Sequence, residues 1–409
     1  MAQQTANGGV CPRRGGLSAV QGVRAAGVAC GLKKSGASDL ALVAAERPAT
    51  VAAVFTKNLV QAAPVGVSKR HLKGGRFSAM VLNSGNANAC TGIKGLRDAE
   101  QSVAEVARLL GCPVGEVFVA STGVIGRPLN LSAVLQGIRA AVPRLSPKGG
   151  GQAARAIMTT DTVAKEAAVA IRVGRRDVVV GGMAKGSGMI APNMATMLSV
   201  IATDAAISAR TLQVALSAAT AETFNCITLD GDTSTNDTVL TFATGASGVE
   251  IRPGSAAFRR FQAALQSVCE TLAKMIARDG EGATKLAEIV ITGARSSVEA
   301  RRAAETVANS PLVKTTLFGE DINWGRIMAA LGRSGAHFDP RRVAIWVDDI
   351  AVVRRGETCG QRAEAAANRR LTRREFALRA DLGAGRAAGR IWTTDLSEAY
   401  VRINAGYRT

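Results

Sequence analysis

The residues best suited to chemistry lie near the middle of the chain, at positions 181–204. This stretch holds Lys185 in a glycine-rich turn, Pro192, and an Ala195–Thr196 bond that precedes an apolar, strand-like run. A threonine hydroxyl can attack the preceding carbonyl, convert the peptide to an ester, and become a new N-terminus after hydrolysis. Such a threonine needs no separate base, because its α-amine (pKa near ~8) can take the proton from its own Oγ. The Ala195–Thr196 bond is therefore a candidate for self-cleavage.

Three other interpretations compete for the same stretch. Residues 186–191 fit the dinucleotide pattern G-x-G-x-x-A after an apolar run, but Pro192 follows where that motif needs a helix. Residues 186–203 carry no charge and are long enough to cross a bilayer, but Pro192, Asn193 and several hydroxyl residues argue against a membrane span. Thr196 could also be an ordinary strand residue. Only its surroundings favour the chemical interpretation.

The charge balance of the chain limits which classes of molecule it is expected to bind. The 409 residues include 51 basic and 32 acidic side chains, which gives a net charge of +19. This charge suits nucleic acid or small anionic substrates. The basic residues are spread along the chain, however, and only 4% of residues are aromatic, so base stacking has little support. We expect small molecules as partners, with no nucleic acid and no membrane.

Cysteine and histidine usage narrows the chemistry. The seven cysteines are widely spaced and form no C-x-x-C motif, so they indicate neither a disulfide framework nor a zinc site. The N-terminus lacks the apolar core of a signal peptide, and we expect a cytoplasmic protein. His71 and His337 are the only histidines, which disfavours a serine–histidine–aspartate triad. An N-terminal threonine needs no histidine.

The elements that position these residues are predicted to alternate between buried strands and amphipathic helices. Continuous apolar runs at 40–43, 50–55 and 79–82 are typical of strands buried on both faces. Helices are predicted at 98–110 with Asp98 as its cap, at 131–142, at 209–222 and at 256–277. The pattern also predicts a hairpin across Asp348 and Asp349. The acidic loop within 227–238 lacks the spacing of a calcium site and is interpreted as a turn.

A strand predicted at 116–120 runs into Ser121-Thr-Gly-Val-Ile-Gly126. The Thr122 hydroxyl and the Gly123 amide could direct two donors at one oxygen, as an oxyanion hole requires. Taken alone, this sequence is better explained as a simple turn. Glu281, which lies between two glycines, is by itself an ordinary solvated side chain.

Two motifs together resemble the ornithine acetyltransferase family, the glutamate N-acetyltransferases of arginine biosynthesis. They are Lys185-Gly-Ser-Gly-Met-Ile-Ala-Pro-Asn-Met-Ala-Thr-Met197 and the C-terminal Tyr400-Val-Arg-Ile-Asn-Ala-Gly-Tyr-Arg-Thr409. The segment 319–326 also matches, although Ile322 stands where the family commonly has proline. The resemblance covers nearly the whole chain.

The resemblance implies a layered α/β/β/α-type sandwich and a chain divided into 1–195 and 196–409 by self-cleavage, assembled as α2β2. It implies acetyl transfer from N-acetylornithine to glutamate, no metal or organic cofactor, and acetyl-CoA as a possible second acetyl donor. A related self-processing aminopeptidase or amidase, with water as the acyl acceptor, is the alternative. By similarity, the nucleophile is Thr196 and the oxyanion hole is Thr122 with Gly123. The substrate-contacting residues implied by the family are Thr159, Lys185, Thr196, Glu281, Asn404 and Thr409.

Overall fold

The computed structural model describes residues 9–191 and 197–406. Within these ranges the strands are β1 Val10–Arg13, β2 Val23–Val28, β3 Leu40–Phe55, β4 Arg76–Asn83, β5 Val117–Ser121, β6 Lys165–Val173, β7 Arg176–Lys185, β8 Leu198–Thr203, β9 Ala206–Ile207, β10 Ile227–Thr228, β11 Thr238–Ala243, β12 Glu250–Ile251, β13 Leu286–Ala294, β14 Ala344–Val347, β15 Ile350–Arg354, β16 Glu357–Thr358, β17 Glu375–Asp381 and β18 Ala387–Thr394. The α-helices of the same ranges are α1 Ala63–Leu72, α2 Gly92–Leu110, α3 Leu131–Ala141, α4 Gly150–Ala156, α5 Ala209–Glu222, α6 Ala256–Arg278, α7 Ser297–Ala308, α8 Pro311–Phe318, α9 Trp324–Gly332, α10 Gln361–Leu371 and α11 Glu398–Gly406.

The larger of the two main sheets has the strand order β1-β6-β7-β8-β11-β3-β4-β5, with β2 also paired to β3. Its central strand β8 runs antiparallel to β7 and parallel to β11. The long β3 pairs with β2 over its first half and with β11 over its second half. Each residue of β8 and β11 is buried, because both faces of this part of the sheet are covered.

Alternate side chains of β3 enter different parts of the core. Ala41 and Val43 pack in a cluster with residues of α4, whereas Leu40 and Leu42 pack in a cluster with α2 and α3. Further along, Val54 joins a third cluster that contains the apolar faces of α5 and α6. Because successive side chains of a strand point to opposite faces of the sheet, β3 contacts helices on both faces.

The second main sheet has the order β10-β18-β13-β17-β14-β15-β16. Helix α6 packs against β6 and β7 of the larger sheet and also against β13 and β18 of the second, while α7 covers β13 and β18. The predicted fold class, a layered α/β sandwich, is confirmed by this arrangement of sheets and helices. In residues 9–191 and 197–406 no helix is both long enough and apolar enough to cross a membrane.

Most predicted elements are present, with one boundary error. The helices predicted at 131–142, 209–222 and 256–277 and the hairpin across Asp348 and Asp349 are confirmed. The cap assigned to Asp98 is wrong, because α2 begins at Gly92 and Asp98 lies buried within it. The Asp98 carboxylate accepts a hydrogen bond from Lys94 Nζ at 2.7 Å, and this ion pair is what allows a carboxylate inside the helix to be buried.

Candidate active site

One cavity of about 190 Å³ is lined by every site residue predicted from the sequence that the structure describes. These residues are Thr122, Gly123, Thr159, Lys185, Glu281 and Asn404. Met197 and Leu198, at the start of β8, line the same cavity. The predicted cleavage residue Ala195, the predicted nucleophile Thr196 and the predicted substrate contact Thr409 lie outside the described residues.

Thr122 and Gly123 follow directly from the end of β5. The Thr122 N–H donates to the Asn83 carbonyl at 2.9 Å, which fixes this turn to the end of the neighbouring β4. Gly123 has φ of +126°, and a Cβ at this position would lie 2.8 Å from the backbone nitrogen of Asn86. Both the left-handed backbone and the close approach therefore require glycine. The hydroxyl and the amide predicted to form an oxyanion hole are adjacent on a rigid strand end.

Lys185 is the last residue of β7, and only 7% of its surface is exposed. Its Nζ donates to Thr122 Oγ1 at 3.5 Å. Burial lowers the pKa of Lys185, while the nearby carboxylate of Asp161 acts in the opposite direction. The ammonium group is thus brought to the cavity wall beside the predicted oxyanion hole.

Thr159 lies in the turn that follows α4. Its N–H donates to Asp161 Oδ2 at 2.9 Å. Burial opposes ionisation of Asp161, but Lys185 and Lys165 outweigh it and lower the pKa of the carboxyl to about 2. Asp161 is therefore a fixed negative charge just behind the cavity wall.

Glu281 reaches the cavity from the turn after α6. Its Oε2 accepts a hydrogen bond from Asn404 Nδ2 at 2.9 Å, and its own N–H donates to the Ser187 carbonyl at 2.9 Å. Gly188 lies so close that a Cβ there would be 2.4 Å from Glu281 Oε2. Glycine at 188 is thus required for the carboxylate to approach the backbone that leads to the predicted cleavage bond.

Several further polar residues of the cavity wall were not identified from the sequence. They are Asp230, Asp232, Ser234, Asn236 and Asp237, all in the loop between β10 and β11, together with Tyr400 of α11. Their signal was the almost unbroken run of polar residues at 230–238, which we interpreted only as a turn. A polar run of this length between two buried strands is also what a binding surface requires.

Asn236 and Asp237 have distinct environments. Asn236 Nδ2 donates to the carbonyls of Ala87 and Ser121, so it ties the loop to the strand end that carries Thr122. Asp237 is 2% exposed, and its Oδ2 has no hydrogen-bond partner in the described part of the chain. Burial raises the pKa of Asp237 well above its usual range, although the Met197 N–H and Lys185 favour the ionised form.

The two histidines are used elsewhere. His71 Nδ1 lies 2.6 Å from the Val117 carbonyl, and His337 Nδ1 lies 3.3 Å from Glu299 Oε1. Neither lines the cavity. In the ranges that the structure covers, no group of three or more histidine, cysteine or acidic residues could hold a metal ion. The side chains that do face the cavity are hydroxyls, carboxylates, amides and one lysine.

The fold and the cavity define an α/β enzyme whose polar groups are suited to binding and transferring an acyl group. The model of the ArgJ family matches residues 24–409. Two proteins named arginine biosynthesis bifunctional protein ArgJ are similar over nearly their whole length. The one from Symbiobacterium thermophilum is 52% identical, covering 97% of this chain and 99% of its own, and the one from Geobacter sulfurreducens is 46% identical, covering 95% and 100%. The chain belongs to the ArgJ family.

Two solved structures are also similar to parts of the chain. An arginine biosynthesis bifunctional protein ArgJ from Bacillus halodurans shares 45% identity over 50% of this chain and 96% of its own, with a TM-score of 0.48. An ornithine acetyltransferase from Mycobacterium tuberculosis, solved in complex with ornithine, shares 46% identity over 46% of this chain and 100% of its own, with a TM-score of 0.43.

Proposed function

We propose that the chain is a self-processing acyltransferase that moves the acetyl group of N2-acetylornithine to glutamate, releasing ornithine and N-acetylglutamate. The enzyme acts on small molecules in arginine biosynthesis. The observation that carries the proposal is the convergence of several separate segments on one cavity, which brings Thr122, Lys185 and Glu281 together beside Met197. Met197 is bonded to Thr196, the proposed nucleophile.

Self-cleavage between Ala195 and Thr196 is the first step of the proposal. The Thr196 hydroxyl attacks the Ala195 carbonyl, the acyl group shifts from nitrogen to oxygen, and water hydrolyses the ester. The products are a chain of residues 1–195 and a chain of residues 196–409 with a free N-terminal threonine. Support comes from the matched motif around the bond and from the lack of any histidine in the cavity wall.

Acetyl transfer then proceeds through an acetyl-threonine intermediate. Thr196 Oγ attacks the acetyl carbonyl of N-acetylornithine, while the free α-amine of Thr196 takes the hydroxyl proton and returns it to the departing amine of ornithine. Thr122 Oγ1 and the Gly123 N–H donate to the oxyanion of the tetrahedral intermediate. Glutamate next attacks the acetyl-threonine, so the kinetics are ping-pong.

The other cavity residues are proposed to bind the substrates. Lys185 pairs with a substrate carboxylate, and Glu281 balances the positive charge of ornithine. Asn404, held against Glu281, contacts the same end of the substrate. Thr159 and Thr409 complete the set of substrate contacts.

Acetyl-CoA is proposed as a second acetyl donor that acylates the same threonine. The support is the word "bifunctional" in the names of the relatives at 44–52% identity. No metal or organic cofactor enters any step, because nucleophile, base and oxyanion donors are all supplied by the chain. The two cleavage products are proposed to assemble as an α2β2 tetramer.

The deciding experiment is the intact mass of the purified protein under denaturing conditions, beside the Thr196→Ala variant. Wild type is expected to give two fragments that meet between Ala195 and Thr196, and the variant a single full-length chain. The processed protein should then transfer acetyl from N-acetylornithine or acetyl-CoA to glutamate. A full-length mass for wild type contradicts the proposal. Cleavage combined with release of free acetate in place of N-acetylglutamate would favour an amidase.

A further inference from the structure

A fully buried lysine lies directly behind the cavity. Lys165, at the start of β6, has no exposed surface, and its Nζ lies 2.6 Å from Asp161 Oδ1 and 2.6 Å from Asp279 Oδ2. A desolvated ammonium is costly unless it is paired and hydrogen-bonded. Two carboxylates and a more distant contact to the Val163 carbonyl meet this requirement. None of these three side chains has a role in the acetyl transfer proposed above.

Asp161 connects this lysine to two parts of the cavity wall. Its Oδ1 accepts the N–H of Gly186 at 2.8 Å in addition to Lys165, and its Oδ2 accepts the N–H of Thr159 at 2.9 Å. One carboxylate therefore fixes the backbone of a proposed substrate contact and the residue that follows Lys185. Charge-assisted hydrogen bonds of this kind are stronger than neutral ones, so the two segments are held in one geometry.

The Lys185 Nζ contacts the Thr122 hydroxyl at 3.5 Å, and several charged groups influence its pKa. The charged groups that act on it are the carboxylates of Asp161, Glu281 and Asp237 and the ammonium groups of Lys165 and Lys33. The Asp161 carboxylate accepts the N–H of Gly186, the residue that follows Lys185, at 2.8 Å, and it raises the pKa of Lys185 against the effect of burial. The Lys165 ammonium lowers the pKa of Lys185 and so partly offsets the effect of Asp161.

We propose that Asp161 is a positioning residue that holds Thr159 and Gly186 in place and keeps Lys185 in its ammonium form, with Lys165 as the opposing charge that limits this effect. The proposal rests on the proposed function, in which the Lys185 ammonium pairs with a substrate carboxylate. In this proposal the buried Asp161–Lys165 pair helps to set the pH range over which the enzyme is active.

Because Asp161 and Lys165 carry opposite charges, their substitution is expected to shift the pKa of Lys185 in opposite directions. The Lys185 ammonium is lost as pH rises, so it produces the falling limb of kcat/KM on the alkaline side. Asp161→Asn removes a negative charge, lowers the pKa of Lys185 further and moves this limb to lower pH. Lys165→Met removes a positive charge, raises the pKa of Lys185 and moves the limb to higher pH. General destabilisation would not move the limb in opposite directions.

The test is the pH profile of kcat/KM for N-acetylornithine at saturating glutamate, with processed wild type, Asp161→Asn and Lys165→Met. Because Asp161 raises the pKa of Lys185, we expect the limb to move to lower pH in Asp161→Asn, by on the order of half a pH unit or more. The double variant Asp161→Asn/Lys165→Met removes both charges of this pair and leaves Asp279 without its buried cation, and it should return the limb towards the wild-type position.

Each outcome decides between the two proposals. Limbs that stay at the wild-type pH in all variants, or that move in the same direction in both single variants, would overturn the role of Asp161 while acetyl transfer by wild type stands. A wild-type protein that transfers no acetyl group would overturn the proposed function instead. If one single variant does not fold, the alkaline limb of the other variant must still shift in the direction stated above. A shift of that limb in the opposite direction refutes the inference.

Discussion

At the scale of single residues, the site depends on how one strand end is built. Gly123 has a backbone conformation and a close approach to Asn86 that no larger residue tolerates. The Gly123 N–H and the Thr122 side chain therefore belong to one tightly constrained turn. Lys185 Nζ donates to the Thr122 hydroxyl, which leaves the hydroxyl hydrogen available for another acceptor. A hydroxyl held by a cation in this way is a preorganised donor for a developing oxyanion.

Thr122→Val keeps the shape of the side chain and removes only the hydroxyl. Loss of one oxyanion donor typically costs ~10²–10³ in kcat, and we expect a loss of that size for acetyl transfer. The measurement is steady-state transfer from N-acetylornithine to glutamate, normalised to processed enzyme by intact mass. Thr122→Ser retains the hydroxyl and serves as the matched control, with activity near that of wild type. Equal activity of the valine and serine variants would exclude an oxyanion role for Thr122.

At the scale of elements, the segment 186–191 is held mainly by residues from the second half of the chain. The Asp230 carboxylate accepts the N–H groups of Met189 and Ile190 at 2.7 and 2.8 Å, and Thr233 Oγ1 donates to the Ala191 carbonyl at 2.8 Å. Met189 has φ of +57°, a conformation that costs a non-glycine residue about 1–3 kcal/mol. The two hydrogen bonds to Asp230 offset that strain in the segment that leads to the proposed cleavage bond.

Asp230→Asn is therefore expected to slow self-cleavage. The amide oxygen can accept one of the two N–H groups, but the amide NH₂ then faces the other, and an unsatisfied buried N–H costs about 1–3 kcal/mol. If that cost falls on the cleavage step, the rate drops by roughly tenfold to a hundredfold. The ratio of precursor to fragments over time, after synthesis in a cell-free reaction, measures it. Asp349→Asn is the control, because the Asp349 side chain is exposed, lies in the hairpin between β14 and β15, and does not line the cavity. Similar rates for the two variants would contradict the argument.

Elements with a strong local signal were predicted well, and elements that depend on distant partners were not. The helix predicted at 209–222 is α5, because its apolar residues recur on one face. Strand β6 escaped prediction since it begins with Lys165 and Glu166, and local sequence does not reveal that Lys165 is neutralised by Asp161 and Asp279. Pairing between distant residues does not explain the error at Asp98, because its partner Lys94 is only one helical turn away.

The candidate site was partly predictable for a similar reason. Motifs identified Thr122, Lys185 and Glu281, which the structure brings to one cavity, but their chemical roles remain predictions. Asp230 and Asp237 were missed because a loop sequence does not show which part of the folded protein the loop will contact. Their place at the cavity follows from the pairing of β11 with β3 and β8, which is set by the whole sheet. Tertiary context, and not local propensity, decides which polar loop becomes part of a site.

At the scale of the whole molecule, the two halves of the chain are interleaved in one sheet. Strand β8 from the second half pairs with β7 from the first, over the register Val180–Lys185 against Leu198–Thr203. Strand β11, also from the second half, pairs with β3 from the first. In β6 of the same sheet, Lys165 from the first half is ion-paired with Asp279 from the second. Cleavage of one peptide bond removes none of these contacts.

The processed chains are therefore expected to stay together under native conditions. Separating them would expose the unpaired edges of β7, β8, β11 and β3 and the apolar core that covers them, which is far more costly than the chain entropy gained from one broken bond. Size-exclusion chromatography with native mass measurement should give one species that contains residues 1–195 and 196–409 in equal amounts, at twice the mass of the precursor if the tetramer is α2β2. Denaturant should release two fragments from wild type and one chain from Thr196→Ala. A fragment that elutes alone without denaturant would show that the shared sheet does not hold the halves together, whereas a native mass equal to one precursor would refute only the tetramer.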